Sequence, residues 1–375
     1  MRHIELDVVS IEQVLDQWFA GQTSGGLIAL LPEAEQNQLP LLQQVCRERS
    51  IPLFGGIFPA LIDGARFINH GVCLLPFPVM PPAFLIPAAE GAEAIGLAVR
   101  RGLATLPAGM VKPTLFLMFD GMLPNIASLL EEIYFALANR VDYAGVNAGS
   151  ESFQPMPCLF DQNQLIGAGV IGVLLPGDDK TVLEHGFALP EGAMSATASQ
   201  GNRVVTIDWR PAFEVYQVVI KSEYGIDLTA GNFYQYAVHF PFGILRASGE
   251  IVVRIPVALA DDGSLFCVGE VPENSVLVLL KSPEAGGNAC LDRLVKDLDF
   301  SSAGSSGNRL LAFYCAGRRM HLGDAAEAEL AALCARAEVS QLAGALSLGE
   351  IGSTQRGGYP VFHNATLVCR PWSGQ

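Results

Sequence analysis

Three stretches of this chain follow one plan: an apolar strand, an amphipathic helix, a strand ending in small residues, and a further strand. The first copy has Leu27–Leu31, a helix around Pro40–Arg49, PLFGGIFPALI at 52–62 and GVCLLPF at 71–77. The second has TLFLMFD at 114–120, a helix near Ile126–Ala138, YAGVNAGS at 143–150 and GAGVIGVLLP at 167–176. The third has RLLAFYCAG at 309–317, a helix near Ala325–Ala337, LAGALSLGEIGS at 342–353 and FHNATLVCR at 362–370. Each helix joins two strands that can lie parallel in one sheet, and the short return before the last strand suits an antiparallel neighbour. The expected class is α/β of the mixed α+β kind, with mixed sheets, outer helices and repeated strand–helix–strand–strand units.

Local signals sharpen this plan. Asn125 is placed to cap the second helix, where Ile126, Leu129, Leu130 and Ile133 recur at helical spacing. Asp324 with Glu327 three residues on has capping-box spacing at the third. Between copies two and three, residues 181–300 read as strands and turns, with Asp262–Gly263 as a hairpin turn. The uncharged run Phe67–Ala89 carries five prolines, so it reads as a strand and an extended connection rather than a membrane span.

At 375 residues the chain suits two domains, and the change is expected near 210–220. Half the residues are hydrophobic and only 16% are charged, as expected when strands are buried on both faces. The net charge of −15 argues against nucleic-acid and anionic-membrane partners, because phosphate binding needs a basic footprint. The acidic N-terminus lacks the pattern of a secretory signal, and the eight cysteines are scattered without C-x-x-C pairs. A cytoplasmic location with reduced thiols is therefore expected.

The polar, Gly-rich loop within Gly344–Val368 is the first candidate site. Gly349, Gly352, Gly357 and Gly358 let the backbone bend, and Glu350, His363, Asn364 and Thr366 place polar groups around it like a pocket rim. Glu350 and Asn364 together can recognise an amino group or hydroxyls, or else tie the loop to itself. Asn147 and Ser150 occupy the corresponding place in copy two, and Gly55 and Gly56 in copy one. Upstream, Cys315, Gly317, Arg318 and Arg319 put a thiol and two guanidinium groups at a strand end, where Arg318 can hold an anion; otherwise Cys315 packs as a small apolar group and the arginines pair with carboxylates. None of the six histidines has the spacing of a helical metal pair.

Cys315, Gly317, Arg318, Gly349, Glu350, Gly352, Asn364 and Thr366 resemble the C-terminal half of the FIST family, the bacterial F-box and intracellular signal transduction module. HGFALPEG at 185–192 and GNRVVTIDWRPAFEVY at 201–216 are similar to the segment joining that family's halves, and its glycine pair appears as Gly55 and Gly56. The resemblance implies a FIST N-terminal domain over 1–212 and a FIST C-terminal domain over 213–375. It also implies a cytoplasmic sensor that binds a small molecule and reports to a separate histidine kinase or cyclic-dinucleotide enzyme, since no output segment is seen here. Some members bind haem and sense nitric oxide, which makes His185 an axial-ligand candidate. The rival from another class is a hydrolase or transferase using Cys315 with Glu350 or a nearby His such as His321. A third reading is a scaffold in which every polar loop residue is structural.

Overall fold

The structure, a computed structural model, describes residues 1–20, 25–107, 111–177, 179–281, 283, 289–301, 307–353 and 358–372. Each copy builds the expected unit. Gly26–Pro32 lies parallel to Leu53–Phe58 and antiparallel to Val72–Phe77. Thr114–Asp120 has the same relation to Asp142–Ala148 and Gly169–Leu175. In the third unit Asn308–Cys315 stands in that relation to Val339–Ser347 and Leu367–Pro371.

The units then exchange hairpins. After its second strand, each unit sends a short hairpin to the sheet of another. Leu61–Asp63 and Arg66–Ile68 join the third unit, Leu159–Asp161 and Leu165–Ile166 the first, and Glu350–Gly352 and Val361–His363 the second. Three equivalent backbone bonds mark the crossings: Ile57 N–H to Cys158 O at 2.8 Å, Asn147 N–H to Gly349 O at 2.9 Å, and Leu346 N–H to Ala60 O at 2.9 Å. The result is a closed threefold ring of sheets. Its inner faces share one core, in which the Phe313 ring sits 6.0 Å from Phe58 and 5.6 Å from Phe116.

Helices cover the outer faces, but not all are capped as the sequence predicts. Asn125 makes no side-chain cap bond. Instead the Glu270 carboxylate, from the other half of the chain, accepts from Ala127 N–H at 2.7 Å and Ser128 N–H at 3.1 Å. Asp324 likewise makes no cap bond, and Glu327 turns outward to accept from Phe67 N–H at 3.0 Å. A remote carboxylate thus replaces the local cap at the first of these helices, and at the second the capping-box glutamate serves a neighbouring strand instead.

Residues 194–279 form a separate antiparallel sheet, running in space from Ile251–Arg254 through Phe242–Leu245, Val276–Leu279, Met194–Gln200, Arg203–Ile207 and Leu265–Cys267 to Pro256–Leu259. The Asp262–Gly263 turn joins the last two, as predicted. The helices Ala212–Tyr224 and Phe233–Ala237 pack on this sheet, and Tyr216 donates to Phe240 O at 2.7 Å. The Pro-rich connection contains a further strand, Ala83–Pro87, which pairs with Gly169–Leu175.

The two-residue turn Asp208–Trp209 links Arg203–Ile207 to Arg210–Pro211, and both its residues have positive φ, 48° and 63°. Such turns favour Gly at the second place, whereas here an indole sits there, 71% exposed. Trp209→Gly is expected to raise stability by about 1 kcal/mol, the scale of the left-handed penalty, read as a higher urea midpoint at unchanged slope.

Candidate functional site

The sequence-predicted residues divide between a buried polar cluster and a narrow slot. Glu350 is fully buried; its Oε1 accepts from Ser347 Oγ at 2.6 Å and its Oε2 accepts from Thr366 Oγ1. Burial pushes its carboxyl up to about 8, so it stays protonated at neutral pH. The loop reaches this position because Gly349, at φ +138°, leaves the space that Phe362 occupies. Glu350 thus faces the core and lines neither of the cavities described below, which corrects its placement on a pocket rim.

Asn364 does not bond to Glu350. Its Oδ1 accepts from Ile255 N–H at 3.1 Å, which fixes the amide's orientation, and its Nδ2 has no partner among the described residues. Asn364, Cys315 and Gly317 line a narrow apolar slot of about 40 Å³. Gly317 is needed because a Cβ there would collide with Ile255. Asn147 projects away from Glu350: Val146 is the residue opposite Glu350, and side chains alternate between faces. Ser150 pairs with Ser152 Oγ at 2.8 Å, a turn contact. Gly357 lies outside the described residues.

Arg318 is also corrected. Its Nε and Nη2 bind Glu329 at 2.8 and 2.6 Å, and its Nη1 donates to His185 O at 2.9 Å, so every guanidinium nitrogen serves the scaffold. Arg319 lies over the Phe67 ring at 4.8 Å.

The larger cavity is a cleft of about 580 Å³ at the junction of the halves, walled by the start of the helix Ile126–Leu137, the strand Met194–Gln200, the 244–247 and 270–276 segments and Tyr359–Phe362. At its inner wall stands Arg254, 2% exposed. Its Nε donates to Glu270 O at 2.9 Å and its Nη1 to Val253 O and Phe362 O at 3.0 and 2.7 Å. Among the described residues no carboxylate lies within ion-pair distance of it, and no protein group takes its Nη2. Burial lowers its pKa to about 10, which leaves it charged at neutral pH. Ser199 Oγ, on the same walls, is buried with no partner among the described residues, and the Tyr359 hydroxyl lies beside the Glu131 carboxylate. Arg246 lies 5.9 Å over the Tyr359 ring. The sequence carried one signal for this cleft, an arginine inside the otherwise apolar run Ile251–Ala258.

The FIST N domain matches residues 27–210 and the FIST C domain matches residues 212–353. The chain belongs to the FIST family. FIST domains are linked to small-ligand sensing in signal transduction. No curated protein matches this chain. In this FIST protein the cleft draws on both matched regions, and the 194–279 sheet spans their meeting point.

The surroundings of His185 do not fit a haem. Its Nδ1 accepts from Phe187 N–H at 2.9 Å, which leaves the ring proton on Nε2, the nitrogen that would have to ligate iron. Its ring packs 5.6 Å from Phe187 and 6.2 Å from His363, and it lines neither cavity. Burial lowers its pKa to about 4.

Burial, with Glu350 adding to it, pushes the Cys315 thiol far above its ordinary value, and the Sγ accepts from Ala365 N–H at 3.1 Å. His321 is engaged with His239 Nδ1 at 2.6 Å and Pro283 O at 2.9 Å. Seven cysteines are buried and Cys334 is half-buried. A mild thiol reagent is therefore expected to label Cys334 first and Cys315 only on unfolding, as peptide mapping would show.

Proposed function

We propose that this FIST protein senses a small molecule bearing a carboxylate or phosphate group, held in the cleft between its halves. The observation that carries the reading is Arg254, a buried guanidinium on the cleft wall whose neighbours are carbonyls and whose Nη2 has no protein partner. The Glu270 carboxylate favours the charge of Arg254 from a distance but does not pair with it, and an incoming oxyanion supplies a directly paired charge with strong hydrogen bonds. The carboxylates on the walls place negative charge away from Arg254: Glu270 is bonded to the helix start, while Glu131 and Glu273 are exposed at the rim, where they favour an outer end that is not itself anionic. A volume of about 580 Å³ falls in the range of metabolite sites.

A ligand there touches both the ring of units and the 194–279 sheet, so a preference for one arrangement of these two parts would change what a separate signalling protein meets. A histidine kinase or cyclic-dinucleotide enzyme is the proposed receiver. Supporting a sensor over a thiol enzyme are the burial of Cys315, which keeps its thiol protonated, and the engagement of His321 with His239 and Pro283 O.

Calorimetric titration with inorganic phosphate and with short monocarboxylates tests the reading. Saturable binding is expected. No binding of any oxyanion by the folded protein would remove the proposal.

A further inference from the structure

Two walls of the apolar slot beside Cys315 are short helical segments from different parts of the fold. Tyr234, Ala237 and Val238 belong to the helix Phe233–Ala237 and its end, which pack on the 194–279 sheet, and Ala316, Gly317 and Met320 to the helix Ala316–Leu322 of the third unit. The residue that follows each wall is a histidine, and the two meet. His239 Nδ1 lies 2.6 Å from His321 Nδ1, with the ring centroids 4.8 Å apart, and both rings are half-buried. Their partners fix where the protons sit. His321 Nε2 faces Pro283 O at 2.9 Å, and a carbonyl only accepts, so this nitrogen carries the hydrogen and His321 Nδ1 is bare. His239 Nδ1–H therefore donates to it, which leaves His239 Nε2 as the basic nitrogen of the pair, with no bond among the described residues.

We propose that this pair is a proton-operated latch at the slot: it holds the two helices together with one added proton or none, and releases them with two. The first proton enters at His239 Nε2, and Nδ1–H still donates to His321, now as a charge-assisted bond. The second can go only to His321 Nδ1, the acceptor itself. Two N–H groups, each on a cation, then face each other and the rings part, taking the slot's walls with them. The neighbouring charges leave this balance in place. Arg318, on the helix of His321, opposes a positive ring and Glu329, on the next helix, favours one, but these two are bonded to each other at 2.6 Å. Lys281, two positions before Pro283, lies over the Tyr224 ring. Burial holds both imidazoles below their ordinary 6.5, with His321 adding to it at His239, and Arg318 adding to it at His321 against the Pro283 hydrogen bond. The pair is thus mainly neutral at pH 7 and takes up its protons in the acid range.

Neither histidine lines the cleft, so the test reads the latch directly. In the full chain, ¹⁵N spectra at pH 7 should show the hydrogens on His321 Nε2 and His239 Nδ1. Hydrogen exchange read by mass spectrometry at pH 7 and pH 4.5, scaled for the intrinsic pH dependence of exchange, should show peptides over Phe233–His239 and Ala316–Leu322 opening at least about tenfold more at the lower pH. Thr114–Asp120, in the core, should keep its protection. His239→Asn should abolish the difference, because its amide donates to the bare His321 Nδ1 or, turned over, accepts from the protonated one, and never charges. No difference between the two pH values in the parent, the same difference in folded His239→Asn, or equal opening of Thr114–Asp120 would overturn the proposal.

Discussion

Replacing Arg254 with methionine is expected to weaken oxyanion binding about 10- to 100-fold, the range for a hydrogen bond to a charged group. The same change should lower stability by about 2–4 kcal/mol, because Glu270 O, Val253 O and Phe362 O lose their donor inside the protein. These two effects separate with Arg254→Lys. Lysine keeps the charge but not the planar fork, so it should retain much of the oxyanion affinity while still giving up stability. Calorimetry with phosphate and urea denaturation on the same samples read both quantities. Unchanged phosphate affinity in a folded methionine variant would show that the guanidinium serves only to tie Val253, Glu270 and Phe362 together.

Glu350 should dominate the pH dependence of stability. Its carboxyl, ordinarily near 4.5, is raised to about 8 by complete burial, against the hydrogen bonds from Ser347 and Thr366 that favour the charged form. Below pH 4.5 the group is protonated in folded and unfolded chains alike, and its contribution is fully present. As pH rises toward 8 the unfolded chain releases the proton and the folded chain keeps it, so stability falls, by something on the order of 3–5 kcal/mol across the window. Glu350→Gln, which cannot ionise, should flatten the slope between pH 5 and 8 and be more stable than the parent at pH 8. Parallel slopes for parent and variant across that window would mean the carboxyl is already ionised in the folded protein.

The helical and strand periods were legible because they are local. Ile126, Leu129, Leu130 and Ile133 mark a buried helix face wherever that helix goes, and the Asp262–Gly263 pair makes its turn without outside help. The caps were less legible. Asn125 and Asp324 are good cap residues by type, yet Glu270 lies over 140 positions from the helix start it serves, and no spacing rule reaches that far. The candidate site was legible only in part. Asn364, Cys315 and Gly317 do meet at a cavity, but Arg318 and Glu350 are chemically conspicuous residues whose partners lie within the scaffold.

The sequence by itself determined the three units, the parallel and antiparallel relations within each, and a chain of the FIST family, since all of these rest on patterns of a few residues or on the order of motifs. Only the tertiary structure decided which sheet each hairpin joins, because a strand's alternation looks the same whichever edge it pairs with. That exchange places Phe362 beneath Arg254 and Asn364 beside Ile255, and so forms one wall of the cleft and the floor of the slot. Whether a buried polar group is satisfied depends on every neighbour the fold brings to it. That Arg254 Nη2 and Asn364 Nδ2 find no partner among the described residues is therefore a property of the folded chain alone.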